Sequence, residues 1–205
     1  MTDDNIDVTP RRKPVQARSR ERVNSILKHA AEIFTEVGVD STSMSAIARR
    51  SDMSLASLYR YFPNKAAIVK AIAETHVEKM EDVMRARLAD TDIYEVIDVL
   101  VDFYYDFYRN EPGYAAIWSG VEAMPELREL DFQELYHNAR DVDARLKQVF
   151  PHLSDTRRWN ASLLLPRSTG SMLRLAVTLP ETEATALVAE IKRMARAYLK
   201  ELATP

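Results

Sequence analysis

Cysteine is absent from the sequence, so a disulfide framework, a cysteine-ligated zinc site and a thiol nucleophile are all excluded. Glycine is scarce, at 4 residues in 205. Turn clusters are few as well, which argues for a mostly helical chain. No apolar run approaches the roughly 20 residues needed to cross a bilayer. The opening M-T-D-D-N-I-D-V-T-P is acidic and polar, unlike a signal peptide, so a soluble cytoplasmic protein with no membrane contact is expected. Neither strands nor internal repeats stand out, and the expected fold class is all-α.

The net charge of −3 conceals an asymmetry. Residues 11–70 hold 12 Lys or Arg against 5 Asp or Glu, whereas residues 71–205 hold 16 against 23. A basic head on an acidic body suits phosphate binding by the head alone. The histidines (His29, His76, His137 and His152) are dispersed. No His-Glu-x-x-His motif, phosphate loop or nucleophile elbow accompanies them. The chain does not read as an enzyme, and no metal or cofactor is expected.

Residues 1–16 lack periodicity and contain Pro10 and Pro14, which reads as a flexible arm. Residues 17–66 read as a small basic head and residues 67–205 as a larger helical body. In the head, Val23, Ile26, Leu27, Ala30, Ile33, Phe34 and Val37 recur at helical spacing, and Gly38 stands where a helix C-cap belongs. Ser41, Thr42 and Ser43 are N-cap candidates for a second helix whose apolar face is Met44, Ile47 and Ala48. Asp52 falls in the following turn. Ser54 can cap a third helix with Leu58 and Phe62 facing inward, and Asn64 a long fourth. Further helices are expected over 93–109, near 114–119 and from Pro125 to Phe150. Another is expected over 154–177, kinked or interrupted at Pro166, and a last one after Pro180.

Two short helices crossing through a tight turn need a small residue at the crossing, and Ala48 supplies it. The third helix is then free to present Leu55, Ala56, Ser57, Arg60 and Tyr61 to a groove of double-stranded DNA. Ser43, Ser45, Tyr59 and Lys65 lie near helix ends, where hydroxyls, an ammonium and backbone N–H groups meet phosphates.

These residues resemble the TetR family of transcriptional regulators. Thr42, Ile47, Ala48, Ser54, Leu58, Tyr59, Tyr61, Phe62 and Lys65 fall on the family's helix-turn-helix pattern, which ends L-Y-x-Y/H-F-x-x-K. Two places depart from it. Ser51-Asp52-Met53 stands where Ala-Gly-Val is usual, and Ala56 replaces a glycine. The resemblance implies that Thr42, Ser45, Tyr59 and Lys65 position phosphates. It implies that Ser57, Arg60 and Tyr61 face base edges, with Arg60 able to take a guanine through O6 and N7. The basic segment before the head either enters a minor groove or is a solvated tail.

Most of the aromatic residues lie between 103 and 159. Tyr and Trp in such number need partners for their polar tips, which an apolar cavity with several hydroxyls would provide. The candidates are Phe103, Tyr104, Phe107, Tyr108, Tyr114, Trp118, Tyr136 and Trp159. The resemblance implies an inducer pocket in this region and a largely apolar or aromatic small-molecule effector. The last two helices, with Leu163, Leu164, Met172, Leu175, Leu187, Ile191, Met194 and Tyr198, are expected to form a homodimer surface, as the family's four-helix bundle implies. The functional expectation is a repressor released from a palindromic operator by its effector. The alternative is a small-molecule-binding or protein-interaction module of the same fold without a specific operator.

Overall fold

A computed structural model describes residues 17–87 and 92–204. The expected flexible arm, residues 1–16, lies outside the described residues, as do Asp90 and Thr91. The described residues form α1 (Ala17–Val37), α2 (Met44–Arg50), α3 (Leu55–Tyr59), α4 (Lys65–Arg87), α5 (Ile93–Asn110) and α6 (Tyr114–Ala123). A 3₁₀ turn (Pro125–Leu127) follows, then α7 (Arg128–Val149), α8 (Asp155–Ala176) and α9 (Glu181–Leu202). No strand occurs among them.

The chain forms two compact units. Of the described residues, the first comprises 17–81 and 112–131, and the second 82–87, 92–111 and 132–204. The sequence predicts a boundary between residues 66 and 67. The compact division falls later, within α4, and it assigns α6 to the same unit as the head.

In the first unit α1 packs against α2 and α6, and α2 against α3. Ile26, Phe34, Ile47, Leu58, Phe62 and Ile68 are fully buried there, which is the apolar face that helical periodicity selects. Two glycines let α6 lie close to the head. Gly113 precedes α6 at φ +76°, and a Cβ there would stand 3.0 Å from the Ala31 carbonyl oxygen of α1. A Cβ at Gly120 would stand 3.1 Å from Cγ2 of Val39. Gly113→Ala is expected to cost about 1–2 kcal/mol from the left-handed backbone alone, and the carbonyl contact adds to it. Thermal circular dichroism should show Tm lowered by roughly 2–8 °C in a chain of this length. An unchanged Tm would mean that residue 113 is not held in that conformation.

In the second unit α5, α8 and α9 pack together. Ile93, Leu146, Phe150, Leu153, Ala161, Leu165, Ala195, Leu199 and Leu202 form one buried cluster. Ion pairs join α5 to α9: Asp98 with Arg196, Asp102 with Lys192 and Arg109 with Glu181. Arg158 of α8 is buried and donates to Asp143 of α7 and to Asp155, each at 2.8 Å. Helix α8 runs on through Pro166 rather than breaking there. Pro166 supplies no N–H to the Ser162 carbonyl one turn back. Packing on α5 and α9 holds the helix across that missing bond.

Candidate nucleic-acid interface

The α2–α3 pair is assembled from caps. Gly38 ends α1 at φ +82°, donating from its N–H to the Phe34 carbonyl. Ser43 begins α2, its Oγ accepting from the Ala46 N–H at 3.2 Å. After α2 the chain reverses at Asp52, whose φ is +51°. This is the left-handed position for which glycine is the usual solution, and among other residues aspartate is one of the few that tolerates it. The Met53 N–H returns to the Ala48 carbonyl, closing the turn. Ser54 then caps α3 by accepting from the Ser57 N–H at 3.1 Å.

Helix α3 buries Leu58, and Phe62 just beyond it is fully buried. Leu55 and Tyr59, about 40% exposed, face solvent with Ala56 and Arg60, while Ser57 and Tyr61 are half-buried. The Arg60 guanidinium donates to Ser57 Oγ at 3.2 Å, and Ser54 Oγ lies 2.9 Å from the same hydroxyl. A short polar chain therefore runs along α3 and orients Arg60. On α2, Arg50 is paired with Glu32 and Glu36 of α1, and its hydrogen bond to Glu36 raises its pKa further. Its neighbour Arg49 is exposed, one helical turn beyond the exposed Ser45. Arg49 was not among the expected contacts. The signal that finds it is the i, i+4 spacing from Ser45 together with the ion pairing of Arg50.

Two residues expected at phosphates are engaged elsewhere. Thr42 is only 4% exposed, and its hydroxyl donates to the Gly38 carbonyl at 2.7 Å. The Lys65 ammonium donates to the carbonyls of Val39, Asp40 and Thr42 at 2.6, 3.1 and 3.0 Å. An ammonium has three N–H donors, and all three are occupied.

Of the eight aromatic residues expected to line a ligand site, Tyr114 and Trp118 lie in the first unit and the other six in the second. In the first unit Tyr114 stacks on His76 (centroids 5.3 Å apart) and lies beside Trp118 (6.0 Å). All three are buried, and the Trp118 indole N–H has no acceptor among the described residues. In the second unit Phe103, Tyr104, Phe107 and Tyr108 adjoin one another along α5, with centroids 5.5–6.1 Å apart. Burial pushes the Tyr104 phenol pKa well up, and Tyr108, Glu134 and Asp141 push it further. Also in the second unit, Tyr136 of α7 stacks on Trp159 of α8, rings nearly parallel at 6.3 Å, beside the exposed Phe132.

Of the residues expected at a dimer surface, Leu164, Met172, Leu175 and Met194 are exposed. Leu163, Leu187 and Tyr198 are half-buried, and Ile191 is buried. Among the described residues no three His, Asp or Glu side chains are grouped to hold a metal ion, and no helix is long and apolar enough to cross a membrane.

Comparison with known proteins bears on the whole of this arrangement. The family model for bacterial regulatory proteins of the tetR family matches residues 26–72, and that for the tetracyclin repressor-like C-terminal domain matches residues 91–203. The chain is 34% identical over 82 residues to the uncharacterized HTH-type transcriptional regulator YvdT of Bacillus subtilis, covering 40% of this chain and 42% of that protein. It is 26% identical over 137 residues to the nucleoid occlusion factor SlmA of Mannheimia succiniciproducens, covering 62% and 61% respectively. The chain thus spans roughly half the length of these curated relatives. Among solved structures, a TetR-family transcriptional regulator from Streptomyces coelicolor matches with a TM-score of 0.67 at 24% identity, covering 88% of this chain and 99% of that one. The fatty acid degradation regulator FadR from Bacillus halodurans matches with a TM-score of 0.66 at 18% identity, covering 89% and 96%. At these identities the structural likeness is one of fold.

Proposed function

The chain belongs to the TetR family of bacterial regulatory proteins, and on that premise we propose that it is a homodimeric, ligand-responsive DNA-binding regulator acting in the cytoplasm. In this reading it represses from a palindromic operator and is released by a small, largely apolar or aromatic effector. The observation that carries the reading is the exposed arc of α3, with Arg60 oriented by Ser57, on a head rich in basic residues. Arg60, Ser57 and Tyr61 read base edges in the major groove, and Leu55 and Ala56 make apolar contacts such as that with a thymine methyl. Ser45, Tyr59 and Arg49 contact phosphates and set the register.

The exposed apolar residues of α8 and α9 support pairing of two subunits, which would present two heads to one palindrome. For the effector, the Tyr114–Trp118 cluster is the strongest candidate. A buried indole N–H without an acceptor is costly, and an effector oxygen would satisfy it.

Selection of binding sites from a random duplex pool, followed by titration of the selected site, tests the reading. Arg60→Ala should weaken binding by roughly 30-fold or more, because the homodimer loses one bidentate base contact of about 1–3 kcal/mol in each half-site, and relax preference at one position of each half-site. Thermal stability should be unchanged, because Arg60 is exposed. Equal affinity and selectivity in Arg60→Ala and wild type would remove α3 as the reading helix. Failure of the wild type to enrich any sequence would remove the operator altogether.

A further inference from the structure

We propose that Lys65 is a positioning residue for operator recognition, a clamp that sets where α2 begins, and not a phosphate contact. The inference rests on the DNA-binding reading above. The three carbonyls that take its ammonium belong to one short segment, between the end of α1 and the start of α2. The left-handed Gly38 and the Thr42 N–H···Val39 carbonyl bond fold that segment so that its oxygens converge. They adjoin the C-terminal end of α1, where the unsatisfied carbonyls carry partial negative charge and favour a cation. Reaching a phosphate would cost Lys65 one of these charge-assisted bonds.

The clamped segment is held from two further sides. Its Thr42 hydroxyl donates to the Gly38 carbonyl, and the Val39 side chain is buried against Gly120 of α6. The residue after the clamped Thr42 carbonyl is Ser43, the N-cap of α2. Ser43 Oγ lies 2.9 Å from Ser45 Oγ, and both side chains are exposed. Lys65, the first residue of α4, therefore fixes the first turn of α2 relative to the start of α4. It acts on DNA through the hydroxyls and backbone N–H groups of that turn.

Lys65→Met and Lys65→Arg separate this role from direct phosphate binding. A planar guanidinium cannot place donors on three carbonyls converging on one point, yet it serves a phosphate as well as an ammonium does. Positioning predicts that both variants bind the selected operator roughly tenfold or more weakly, the loss of hydrogen bonds to a charged donor. It also predicts that the slope of log affinity against log salt stays at the wild-type value. In the free proteins, amide exchange should quicken at Thr42 and Ala46, whose N–H bonds form the turn and the cap. Wild-type affinity in Lys65→Arg would overturn the proposal. So would a salt slope in Lys65→Met smaller by about 0.9 per subunit, the signature of one lost phosphate contact. Should Lys65→Met unfold the head, the Lys65→Arg titration decides alone. The exchange measurement needs no DNA, so it stands even if no operator is found.

Discussion

Replacing Leu164 and Leu175 together with aspartate is expected to yield a monomer that binds the operator at least 100-fold more weakly than the wild type. The two side chains are 52% and 46% exposed in the single subunit, and with Met172 they lie on one face of α8. Leucines left in water recover their transfer free energy only against another apolar surface, and a second copy of the same face provides one. Four carboxylates introduced at such an interface would be desolvated without partners. Two linked heads bind a palindrome with an effective concentration that raises avidity by roughly 10²–10⁴, and a monomer forfeits all of it. Sedimentation equilibrium reads the first part of the expectation, and titration of full and half operators reads the second. A double variant that remains dimeric would place the interface elsewhere. A monomer that retains full operator affinity would make dimerisation irrelevant to DNA binding.

Phe62→Ala is expected to remove about 3–5 kcal/mol of stability from the head, as truncation of a fully buried phenyl does. Against the 5–15 kcal/mol typical of a whole domain, that is enough to leave α2 and α3 fraying at physiological temperature. Phe62 closes the end of α3, its N–H bonded to the Leu58 carbonyl and its ring in the core with Phe34, Ile47 and Leu58. Chemical denaturation and amide exchange of α2 and α3 measure the loss, and operator binding should fall in step with the folded fraction. Arg60→Ala makes the contrast, since it removes a contact from a head that stays folded. Unchanged exchange protection in Phe62→Ala would show that the head is held by other contacts.

The comparison of Phe62 with Lys65 shows what kind of information a sequence carries. Phe62 is legible because it follows Leu58 at the i, i+4 spacing that prolongs the apolar face of α3 just past the helix end. Lys65 sits at an equally recognisable place in the L-Y-x-Y/H-F-x-x-K ending, but its acceptors lie 23 to 26 residues earlier in the chain. No local pattern reports a bond of that span. Thr42 is intermediate: its position near the start of α2 is readable, whereas the direction of its hydroxyl, back to Gly38, is not.

The aromatic residues make the same point. Their density between 103 and 159 is a property of composition. Which ring meets which, Tyr114 on His76 and Tyr136 on Trp159, is a property of packing. Pro166 shows tertiary context overriding a local rule, because packing on α5 and α9 sustains the helix where one backbone bond is missing.

By itself the sequence determined the all-helical class, the order of the helices, their serine and asparagine caps, and the turn at Asp52. Each of these rests on interactions that close within about one helical turn, so neighbouring residues suffice to specify them. Only the tertiary structure decided that α6 packs on α1 in the same unit as the head, that Arg50 is neutralised while Arg49 stays exposed, and that Lys65 is spent on the backbone. Those outcomes depend on which surfaces distant segments present to one another, and that is settled when the core closes.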